Sequence, residues 1–120
     1  MRTFGMAAVL LAALACNAVA GEAEVVAAKA TWSGGSWRFD VTLKHGDKGW
    51  EHYADAWRVV GPDGTVFGTR TLYHPHVDEQ PFTRSLSGVT IPQGTGTVQV
   101  QARDSVHGWN TATFEVSLPR

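Results

Sequence analysis

The stretch LYHPHVDEQPF (72–82) sets two imidazoles two residues apart around a proline. In extended backbone, residues i and i+2 project to the same side. Pro75 fixes its own φ and biases His74 toward an extended conformation, so His74 and His76 could converge on one cation. His45 and His52 flank GDKGWE and could supply two further nitrogens, and His107, in RDSVHGW, another. Imidazole and carboxylate without sulfur suit Zn(II) or Cu(II). A blue-copper centre needs a thiolate, and a Cu(I) site wants Met or Cys. Cys16, Met1 and Met6 all lie in the first twenty residues, so the remainder of the chain offers no sulfur.

Other chemistry is open to the same residues. Glu51 beside a zinc could act as a general base. Asp104, Ser105 and His107 stand too close in sequence for a hydrolase triad and lack a Gly-rich nucleophile turn, so no catalytic residue is assigned. Trp50, Tyr53, Tyr73 and Trp109, with Glu51, Asp78, Glu79 and Asp104 nearby, could form an aromatic platform contacting a glycan or a protein partner. A purely structural reading also stands. His52 would be a hydrogen-bonded core residue at a strand entry, His107 a turn residue beside Gly108, and Arg84 and Arg103 partners of Asp78, Glu79 or Asp104.

The elements that must position these side chains read as β-strands. Trp37, Phe39, Val41 and Leu43 alternate with Arg38, Asp40, Thr42 and Lys44, which is the period of a strand with one buried face. Val98, Val100 and Ala102 alternate with Gln99, Gln101 and Arg103, and Phe114, Val116 and Leu118 with Thr113, Glu115 and Ser117. SGGS (33–36), GPDG (61–64) and PQGTG (92–96) mark turns. Strands are expected at about 24–32, 36–45, 54–61, 65–72, 81–89, 96–104 and 111–118. Seven short alternating strands in about 100 residues predict an all-β, immunoglobulin- or fibronectin-III-like sandwich. If consecutive strands run antiparallel, the connections 45–53, 72–80 and 104–110 share one pole, and with them all five histidines.

Residues 1–20 read as a secretory signal peptide: Arg2, the apolar run FGMAAVLLAALA, then Ala18-Val19-Ala20 as the small-x-small cleavage pattern. The sandwich domain is then 21–120, in the periplasm or secreted. Cys16 after Leu14-Ala15 suggests lipidation instead, although a lipobox places Leu where Ala13 stands. The formal charge of −1 becomes −2 without Arg2. No basic stripe points to nucleic acid, and no cationic amphipathic helix points to a membrane surface.

The segments GWEHYADAWRV, LYHPHVDEQPFTRSLSGV and ARDSVHGW resemble those of small secreted bacterial β-sandwich proteins to which no activity is assigned. The resemblance covers most of the chain after the leader and implies an exported sandwich domain.

Overall fold

The strand with the clearest alternation is Ser36–Lys44 (β2): Trp37, Phe39, Val41 and Leu43 are wholly buried. Its other face carries polar cross-strand pairs, with Thr42 and Thr83 hydroxyls 2.7 Å apart and the Ser85 hydroxyl donating to Asp40 at 2.5 Å. The structure, a computed structural model, describes residues 21–119. Residues 1–20, expected from the sequence to be a signal peptide, lie outside the described residues, and Cys16 with them.

β2 pairs antiparallel with Glu24–Ser33 (β1) on one side and with Phe82–Val89 (β5) on the other, forming a three-stranded sheet. The second sheet is built on Ala54–Val60 (β3), flanked by Val66–Thr71 (β4) and Thr97–Asp104 (β6). Two short strands, Gly108–Trp109 (β7) and Phe114–Ser117 (β8), complete it on β6. The expected all-β sandwich of two antiparallel sheets is therefore present, with eight strands among the described residues rather than seven. The stretch expected as one last strand is divided. Arg103 faces Trp109 and Val100 faces Phe114, leaving two residues of slack between the two pairings. Asn110 causes the break. Its amide donates to the Ala102 carbonyl, while its buried side-chain amide turns inward to the Ala23 carbonyl.

The core lies between the sheets. Trp37, Phe39, Val41, Leu43, Phe82 and Val89 come from the first sheet, and Trp57, Val59, Val98, Val100, Ala102 and Val116 from the second. The end carrying 33–36, 61–64 and 92–96 closes with tight turns. Gly34 and Gly35 take φ of 62° and 100°, the pair of positive values that a two-residue hairpin demands.

Because Leu43 is fully buried where sheet and loops meet, Leu43→Ala should cost about 2–5 kcal/mol. A urea midpoint that falls with an unchanged slope would show this.

Candidate metal centre

The inward rows of the strands do not stop where the apolar residues stop. Continuing β2 by one alternation from Leu43 gives His45, and then Asp47. Continuing β6 from Ala102 gives Asp104. The final rung of the sandwich interior is therefore polar. His45, Asp47 and Asp104 are buried, and both carboxylate side chains are completely covered.

A buried carboxylate is tolerated only with hydrogen-bond donors around it. Asp47 Oδ1 lies 2.5 Å from His45 Nδ1 and accepts from the Ala54 amide at 3.1 Å. Its Oδ2 accepts from the His76 amide at 2.7 Å. Asp104 Oδ1 accepts from the amides of Val106 and His107 at 3.0 and 2.8 Å, and lies 3.0 Å from both His52 Nε2 and His107 Nδ1. Burial by itself raises the Asp104 carboxyl. The amide bonds from His107 and Val106, and the His107 ring, outweigh it and hold the group below the ordinary carboxylate range.

These bonds tie the three connections together. Gln80 takes the His45 amide on its Oε1 (2.9 Å) and donates Nε2 to the His76 carbonyl (2.8 Å). The Tyr53 amide donates to Ser105 Oγ at 3.0 Å, and the Ser105 amide to the Tyr53 carbonyl at 2.9 Å. The loops at 45–53, 72–81 and 104–107 consequently occupy one pole, along with the start of the described chain. His45 Nε2 is 2.8 Å from the Gly21 carbonyl.

The histidines divide into two groups. The His45 and His52 rings meet at 4.7 Å between centroids, and those of His52 and His107 at 5.2 Å. One ligand atom from each of His45, His52 and Asp104 lies within 4.8 Å of the other two. A tetrahedral zinc with bonds near 2 Å wants donors about 3.3 Å apart, and the His52–Asp104 pair at 3.0 Å is already close to that spacing. The Asp47 contact on His45 Nδ1 is of the kind by which an outer-sphere carboxylate orients a metal-binding imidazole, and it would leave Nε2 as the atom for an ion.

His76 lies on the other side of Asp47. Its ring stacks on Phe82 at 3.9 Å and 10°, and its Nδ1 is buried without a hydrogen bond. Burial, and then Arg84, hold His76 below the ordinary histidine range, against the opposite pull of Asp47 and Glu79. His74 is exposed, its ring 6.0 Å from that of His76.

The remaining polar and aromatic candidates are dispersed. Trp50 meets Tyr53 edge-on at 5.6 Å, and Tyr73 projects into solvent. Trp109 lies beneath Arg58, whose guanidinium is 3.9 Å from the ring centroid. Glu51 and Asp78 are exposed, Glu79 pairs with Arg84 at 3.1 Å, and Arg103 pairs with Asp55. Ser105 Oγ is engaged by the Tyr53 amide. His74 and His76 have the spacing of a ligand pair, whereas the residue that pins their loop is Asp47. The parity of β2, extended past Leu43, is the signal that points to it.

A protein of Halomicrobium mukohataei bearing the name "Putative lipoprotein" is 42% identical to this chain over 89 residues, 73% of the chain. The chain spans 43% of that relative's length. No family model matches the sequence, and no solved structure matches it.

Asp47→Ala leaves two buried amides and the His45 ring without an acceptor, at about 1–3 kcal/mol for each. A loss above about 3 kcal/mol is expected from urea denaturation. For His76, the folded value lies below the unfolded one, so below about pH 6.5 the unfolded chain binds the extra proton. The stability contribution is complete above that pH and is lost as pH falls toward the folded value. The urea midpoint should drop between about pH 7.5 and 5.5, and His76→Leu, which keeps an apolar face on Phe82, should drop less.

Proposed function

We propose that this protein is an exported β-sandwich domain that binds a divalent metal ion, Cu(II) or Zn(II), at its histidine pole. The observation that carries the reading is the convergence of His45, His52 and Asp104 donor atoms within 4.8 Å on mostly buried side chains. His45 Nε2, His52 Nε2 and an Asp104 oxygen are the ligands in this reading, and His107, 3.0 Å from the same carboxylate, is the candidate fourth donor. Asp104, held below the usual carboxylate range, is ionised and needs no proton removed before it ligates. His45 exchanges its Gly21 carbonyl contact for the ion. The donor set has no sulfur, and for nitrogen and oxygen ligands the general affinity order places Cu(II) above Zn(II).

Export rests on the leader-like residues 1–20, with 21–120 as the domain, and is supported by the name of the Halomicrobium mukohataei relative. That name also favours lipid attachment at Cys16 over release as a free periplasmic or secreted protein. No helix among the described residues is long and apolar enough to cross a membrane.

Thermal melting with Cu(II), with Zn(II) and with chelator tests the metal site. An ion that binds only the folded chain adds about 2.7 kcal/mol at a hundredfold excess over Kd. The midpoint should rise with metal and return with chelator, and His52→Ala should abolish most of the rise. An unchanged midpoint with both ions would refute the metal reading.

A further inference from the structure

We infer that the histidine pole is also a docking face for a lipid bilayer surface, with the loop tips seated among the headgroups. Among the described residues, four large apolar side chains are more than half exposed: Tyr73 at 71%, Trp50 at 67%, Val106 at 58% and Val77 at 54%. All four are on the three loops of this pole. The other exposed large hydrophobics, Trp32, Val66 and Val26, are less exposed and sit on strands.

The tips are held in place. Val106 follows the Ser105–Tyr53 clasp, Tyr73 and Val77 flank the segment pinned to Asp47 and Gln80, and Trp50 rests against Tyr53. Presenting them to a partner thus costs little ordering entropy. Tyr and Trp suit the headgroup level because each joins an apolar ring to a polar edge.

The course of the chain selects a bilayer as the occupant. Gly21 is fixed at this pole by His45, and Ala23 by Asn110. The described chain therefore begins on the same side as the exposed tips. Cys16 precedes Gly21 by five residues, a reach of at most about 17 Å. On the reading of lipid attachment at Cys16, the domain meets the membrane with this pole first.

Charge defines the lipid. The exposed ionic side chains at the tips are Lys48 against Glu51, Asp78 and Glu79, so there is no basic cluster to gather anionic headgroups. Zwitterionic lipid is the matching surface, and docking should be insensitive to salt. The face is built from loops, which is why the absence of a cationic amphipathic helix said nothing about it.

The test uses the full chain with phosphatidylcholine vesicles carrying bromine near the headgroup end of the acyl chains. Tryptophan emission should be quenched, in low and high salt alike. Trp50→Phe should remove most of the quenching, and Trp32→Phe little of it. Hydrogen exchange should slow at 48–53, 72–79 and 104–108 when vesicles are added, and not at 61–65 or 92–96. Absent quenching, or quenching undiminished in Trp50→Phe, overturns the inference. Protection that needs no lipid and grows with protein concentration assigns the face to a second copy and overturns it too. Quenching needs no metal, so chelated protein reads this inference separately from the metal site.

Discussion

Two carboxylates with no access to water, Asp47 and Asp104, organise one end of this molecule. Each closes an inward row of a core strand, and each must collect donors from whatever chain is nearby, because an unpaired buried carboxylate is not tolerated. Asp47 draws on its own loop, on the entry to β3 and on the 72–81 loop. Asp104 draws on the turn that follows it and on His52 from across the pole. Three loops that would otherwise be independent are thereby joined into one surface.

The groups that satisfy these carboxylates are largely imidazoles, so the solution to a burial problem is also a donor set. His45 shows the overlap. Asp47 holds one ring nitrogen and the Gly21 carbonyl the other, and both bonds form at once only when both nitrogens carry hydrogen. An ion at Nε2 would replace the second hydrogen and leave the first bond in place. Asp104 stands in a comparable position, accepting from two amides that remain whether or not its imidazole partners turn to a cation. His76 contributes its amide rather than its ring, which is committed to Phe82.

Gly21 is where the chain's entry and the site coincide. Its φ of 88° disfavours any residue with a Cβ, and such an atom would stand 3.1 Å from His107 Cε1. At Gly21 the chain thus lies against the imidazoles with no side chain between. At the opposite end no comparable polar burial occurs among the described residues. Glycine-bearing turns connect the strands there.

The amino-acid sequence by itself determined the sandwich and most of its strands. In Trp37–Leu43 and Val98–Ala102 the alternation is dictated by local stereochemistry and needs no distant partner to be read. The same parity, carried one step further, already turned His45 and Asp104 inward, and alternating strand direction already put the histidines at one end. What only the tertiary structure decided is which of those histidines share a centre. The two-residue spacing of His74 and His76 aligns side chains in a strand, but 72–81 is a loop whose course is set by Asp47, Gln80 and Phe82. The division of the last strand likewise depends on Asn110 finding the Ala23 carbonyl, 87 residues away. Contacts of that kind come from packing two sheets face to face, and sequence spacing carries no record of them.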